Sequence, residues 1–122
     1  MHIGQILGIT TLCVGCASAG AFPSTAGDAN AAIATARRQI SLAQDAGADS
    51  LAPAPLAEAR REVQMAESQL GSTHPERAAV SGQQAAASAA YAKALADRVR
   101  ANRDKTKADS ALRMLPPQSR SR

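Results

Sequence analysis

The stretch Ala78-Ala79-Val80-Ser81-Gly82-Gln83-Gln84-Ala85-Ala86-Ala87-Ser88-Ala89-Ala90-Tyr91-Ala92-Lys93-Ala94-Leu95-Ala96-Asp97-Arg98-Val99 decides the fold. Within it Ala78, Gly82, Ala85, Ala89, Ala92, Ala96 and Val99 fall at alternating steps of four and three. That spacing makes one face of an α-helix in heptad phase. The face is built almost wholly of alanine and glycine, so a partner helix can approach closely. Gly82 allows the closest approach and costs about 1 kcal/mol of helix propensity. No break signal follows until Leu115, which precedes Pro116-Pro117. The spacing therefore predicts a helix over 74–115, a rod of roughly 60 Å at ~1.5 Å per residue. At Arg103 its apolar rhythm fails.

The same rhythm occurs twice upstream. Ala29, Ile33, Ala36, Ile40, Ala43 and Gly47 form one seam. Asp28 is the expected N-cap, Gly47 closes the helix in the left-handed conformation, and the helix covers about 29–46. Residues 49–55 read as a turn, because each of Pro53 and Pro55 pushes its predecessor away from helical geometry. A second helix is expected over 55–70, with Pro55 first and a seam of Leu56, Ala59, Val63, Ala66 and Leu70; Gly71 stops it. In the next turn Thr73 and Glu76 have capping-box spacing. No strand signal is present. The fold class is thus all-α: an alanine-rich antiparallel helical hairpin or three-helix bundle, coiled-coil-like, with a long C-terminal helix. The first two helices are about half as long as the third. They can cover its alanine half and leave its charged half projecting.

The amino terminus reads differently. Residues 3–15 carry no charge, and the apolar run of about a dozen residues is too short to cross a ~30 Å hydrocarbon layer. It matches the core of a signal peptide. Val14-Gly15-Cys16-Ala17-Ser18 resembles the lipobox of bacterial lipoproteins. The resemblance implies cleavage before Cys16 and a lipid on its thiol, with Cys13 standing where that pattern has Leu, Val or Ile. The non-aspartate Ala17 implies sorting to the outer membrane, on its periplasmic face. A rival cut after Ala19 or Ala21 fits the small-x-small rule of ordinary signal peptidase and yields a soluble periplasmic protein. Cys13 and Cys16 also spell C-x-x-C, but they lie in an apolar targeting segment and not at a helix start in a βαβ setting. The chain accordingly divides into a signal peptide (1–15), the lipidated cysteine with a Pro/Gly/Ser tether (16–27), a helical domain (28–115) and a disordered basic tail (116–122).

Composition bounds the function. Alanine is about a quarter of the 122 residues, and the only aromatics are Phe22 and Tyr91. Each buried methyl contributes only about 0.8 kcal/mol, so such a core gains from a self-partner or another protein. Bases dominate the C-terminal part: Lys93, Arg98, Arg100, Arg103, Lys105, Lys107, Arg113, Arg120 and Arg122 face only Asp97, Asp104 and Asp109. An anionic envelope surface, headgroup or wall polymer, suits that charge. Nucleic acid does not, because an exported chain does not meet the chromosome and no aromatics are interleaved to stack bases. No catalytic set converges. His74 stands in a turn without clustered ligands, so no metal site is expected. Glu58, Glu62 and Glu67 are interspersed with Arg60 and Arg61, and Glu58 with Arg61 reads as a surface i,i+3 pair. Ser81 and Ser88 have no histidine nearby, and no phosphate loop occurs. No enzyme activity and no cofactor are expected.

The seams and the Ala52-Pro53 turn, with Leu56, Ala59, Ala66, Leu70, Ala78, Ala85, Ala89 and Ala92, resemble the small bacterial envelope proteins of the domain of unknown function 4398 family. The likeness covers roughly 29–96. It departs at Leu51, where the family often has an aromatic, and at Gly82, where it has alanine. It implies a short, helical envelope lipoprotein and lends no mechanism. The function expected is a structural or adaptor lipoprotein that pairs with itself or an envelope partner. The alternative is a periplasmic chaperone-like binding module.

Overall fold

A computed structural model describes residues 25–117. The expected signal peptide, Cys16, the expected tether up to residue 24 and the expected tail from residue 118 lie outside the described residues. Four helices follow in order: α1 (Ala26–Asp45), α2 (Ala48–Leu51), α3 (Pro53–Leu70) and α4 (Pro75–Met114). The described chain is all-α, as its periodicity predicts.

Several boundaries move. α1 starts at Ala26 and not after Asp28, so residues 25–27 belong to the domain and not to the tether. Thr25 is the N-cap: its Oγ1 accepts from the Asp28 backbone N–H at 3.2 Å, and the Thr25 N–H donates to Asp28 Oδ2 at 3.3 Å. Asp28 is thereby the third residue of a capping box. The expected turn at 49–55 is shorter, because Ala48–Leu51 forms one helical turn. Gly47 is left-handed at φ 83° as foreseen. α3 begins at Pro53 and not Pro55. Ala52 leaves helical geometry (φ −148°, ψ 56°), which satisfies Pro53. Pro55 is tolerated two residues later, since N–H groups of the first turn have no partner within the helix. The Thr73–Glu76 capping box does not form. Pro75 takes the first helical position, which makes His74 the N-cap and puts Thr73 outside the frame. At the far end Leu115 is extended (ψ 141°) ahead of Pro116.

α1 and α4 run parallel, with α3 antiparallel to both. Three layers record this. Ala29 meets Ala78 and Ala79, with Leu70 packed beside them. Ile33, Ala36, Val63, Ala66 and Ala85 form the middle layer, flanked by Ile40. Ala43, Ala46, Ala48, Ala52, Leu56, Ala92 and Ala96 form the top one. Leu56 is the largest fully buried side chain. The bundle buries every seam residue except Ile40, Gly47, Leu70 and Val99, which are half-buried. Gly82 sits where α4 crosses α1: a Cβ there would lie 3.0 Å from the Ala32 backbone carbon and from Ala32 Cβ. Cover ends near Val99, and residues 100–117 are exposed throughout.

Candidate functional site

The polar side chains form a lattice of exposed ion pairs. Arg61 and Glu58 meet at 2.7 Å as the i,i+3 pair their spacing predicts. The hydrogen bond and the charge of Glu58 raise the pKa of Arg61, so it stays charged. Arg37–Glu67 joins α1 to α3 and Arg60–Asp49 joins α3 to α2, each at 2.7 Å. Exposed pairs of this kind contribute little to stability.

His74 faces Glu76, Nδ1 to Oε1 at 3.2 Å. Glu76 is held below the usual carboxylate range, first by its own backbone N–H and then by His74. Among the described residues no group of three metal-ligating side chains comes together. Ser81 donates to Gln69 Oε1 at 2.8 Å across α3 and α4. This bond fixes the antiparallel register, and the same register carried one heptad on sets Ser88 level with Glu62.

Glu62 escaped the sequence reading, which placed it among surface charges. It is only 6% exposed, and its Oε2 has no hydrogen-bond partner. The signal was present: Glu62 lies three residues after Ala59 and four before Ala66, both in the seam of α3.

At the bundle top the Arg100 guanidinium donates to the Ala46 carbonyl at the end of α1. It satisfies a terminal acceptor and complements the negative helix end. Gly47 beside it is required by its left-handed φ; a Cβ there would stand 3.4 Å from the same guanidinium, an ordinary contact. Above it a shallow hollow is lined by Val99, Asn102, Arg103, Thr106 and Lys107, all of α4. One helix supplies a single wall, which cannot enclose a reacting group.

What remains is surface. Val80, Tyr91, Leu112 and Met114 of α4, and Leu115 just after it, are exposed large apolar residues, Met114 at 88%. Among the described residues no helix is long and apolar enough to cross a membrane. No family model, curated protein or solved structure matches the chain.

Proposed function

We propose that the protein is a non-catalytic structural or adaptor lipoprotein of a bacterial envelope, anchored through Cys16 at the periplasmic face of the outer membrane. Its helical rod pairs with itself or with an envelope partner. The observation that carries this reading is the length mismatch. The three-helix bundle ends near Val99, yet α4 continues to Met114 with every side chain exposed. A helical arm of that kind has a purpose when something lies against it. The lipobox-like Val14-Gly15-Cys16-Ala17 supports the anchor, and the resemblance to the domain of unknown function 4398 family points the same way.

Two experiments test it. A clickable fatty acid fed to expressing cells should label the wild type and leave Cys16→Ser unlabelled. An unlabelled wild type whose amino terminus is Gly20 or Phe22 overturns the anchor in favour of a soluble periplasmic chain. Crosslinking in living cells then examines the role: one or two discrete adducts support a structural or adaptor protein. A smear of many outer-membrane proteins supports the chaperone-like module, although clients are usually held against larger apolar surfaces.

A further inference from the structure

α4 carries a second heptad row that packs on nothing in its own bundle. Val80, Ala87, Ala94, Ala101 and Ala108 recur every seven residues, on the side opposite the seam that meets α1 and α3, and all are exposed; Leu115 follows just past the helix end. Beside them Gln84, Tyr91, Arg98, Lys105 and Leu112 recur at the same step, also exposed. Val80, Tyr91 and Leu112, three of the large exposed apolar residues of the described chain, stand on this one face.

The two faces of α4 part company beyond the bundle. The inner seam turns polar at Arg103, Thr106 and Ser110, whereas on the outer face the Val80 row keeps alanine at Ala101 and Ala108 and the row beside it places Leu112 after Lys105. An occupant of the projecting half must therefore approach from outside. We propose that the outer face of α4 binds the same face of a second copy of this chain in antiparallel orientation. The proposal rests on the self-association reading above and gives it an interface.

Three arguments select this occupant. A strict seven-residue repeat lets two helices supercoil without losing register. In the antiparallel register each bulky residue of one copy faces a small or apolar one of the other: Tyr91 meets Ala101, Arg98 meets Ala94, Lys105 meets Ala87, and Leu112 meets Val80. A parallel pair would stack Arg98 on Arg98 and Lys105 on Lys105, which like-charge repulsion opposes, and would leave gaps between facing alanines. Charge agrees with the antiparallel choice. The two-fold axis falls near Ala96, so Arg98 of each copy lies within one helical turn of Asp97 of the other. Arg98 has no ion partner among the described residues. The contact is about 50 Å long and roughly 10 Å wide. It buries on the order of 1,000 Å² over both copies, at the lower limit for a specific interface. The dimer is accordingly reversible and concentration-dependent. In it the projecting half of each α4 lies along the bundle half of the other.

Cysteine crosslinking of the full chain in mild detergent tests the register, with the unmodified chain setting the background from Cys13 and Cys16. A short thiol crosslinker should join Ala94→Cys to itself, and Val80→Cys to Leu112→Cys in a mixture. It should not join Ala87→Cys to itself, because those sites lie about 27 Å apart along the axis. Light scattering of the same samples should show Val80→Asp shifted from dimer to monomer mass with helicity retained, since Val80 is exposed in the single chain. Self-adducts of Ala87→Cys and Ala108→Cys would mean a parallel pair and overturn the proposal. An oligomer without any of these adducts overturns this interface and leaves self-association standing. A monomer at every concentration overturns both, and the adaptor reading would then depend on a different protein partner.

Discussion

Residues 75–99 and 100–114 belong to one unbroken helix, yet different forces hold them. The first part lies in a trough of alanine made by α1 and α3, and its inner residues are fully buried from Ala78 to Ala96. The second part is exposed on all sides. Helix propensity is similar in both, so local preference does not separate them. Tertiary cover does, because an isolated helix of about 12–15 residues is marginal in water. A continuous helix can therefore contain a stable half and a half that waits for a partner.

Hydrogen exchange reads this difference most directly and should show the largest effect. At a dilution where the chain is monomeric, amides between Ala78 and Val99 should exchange slowly, near the rate of global opening, and those after about Arg103 fast. Equal protection along α4 in the monomer would break the comparison. Protection of the distal half that rises with concentration would sharpen it, since the outer-face dimer covers that half.

Next in size is a pair of truncations. Leu56→Ala removes the largest fully buried side chain of the covered region and should cost about 2–5 kcal/mol in urea unfolding. Leu112→Ala, in the projecting half, should change monomer stability by less than about 0.5 kcal/mol. Comparable losses from both would mean that the projecting half packs in the monomer.

These contrasts were partly legible in the sequence. The seams could be read because alanine and glycine at three-four spacing leave a helix few other faces to bury, and the loss of rhythm at Arg103 marks where cover ends. The caps were harder. Pro75 shifts the start of α4 by one residue and leaves Thr73 out of frame, while Pro55 is harmless once α3 has begun at Pro53. The depth of Glu62 depends on how far α3 rotates against α4, and a one-residue shift around the helix turns a solvated carboxylate into a buried one. Cys16 lies outside the described residues, so that reading rests on the lipobox resemblance.

Gly82→Ala gives a smaller effect with competing signs. Alanine gains about 1 kcal/mol of propensity. Its Cβ would meet the Ala32 backbone at 3.0 Å, which must shift, and overpacking of this kind costs about 1–3 kcal/mol. Backbone cannot yield as a flexible side chain can, so the variant should be less stable overall. A rise in stability would show that α1 and α4 separate readily. The control is Ala111→Gly in the projecting half, which should cost at most about 1 kcal/mol and act locally. Glu62→Leu should act in the opposite direction. It removes a buried oxygen without a partner and should stabilise the bundle by about 1 kcal/mol. If Glu62→Leu is destabilising, the carboxylate has a partner that outweighs its burial.

The smallest effect lies at the border between the two halves, where Asp97 stands. Lys93 Nζ donates to its Oδ2 at 2.6 Å, and Arg100 approaches to 3.9 Å. The Lys93 bond, with the charges of Lys93 and Arg100, holds the Asp97 carboxyl below the usual aspartate range. A carboxylate whose pKa is lowered on folding contributes stability that is fully present above its unfolded pKa, about 3.9. That contribution is lost as the pH falls through the folded value. No change is therefore expected between pH 5 and pH 8, and the loss belongs to the acid limb below about pH 4. The pair is exposed, so salt should weaken it. Carboxyl carbon NMR should place Asp97 below the ordinary aspartate value in the wild type and move it upward in Lys93→Met. An ordinary value in the wild type at low salt would mean the pair does not persist in solution. The same titration reports on the dimer. If Arg98 of a second copy reaches Asp97, the carboxyl should titrate lower still as protein concentration rises, and Arg98→Gln should abolish that concentration dependence while leaving the effect of Lys93 in place.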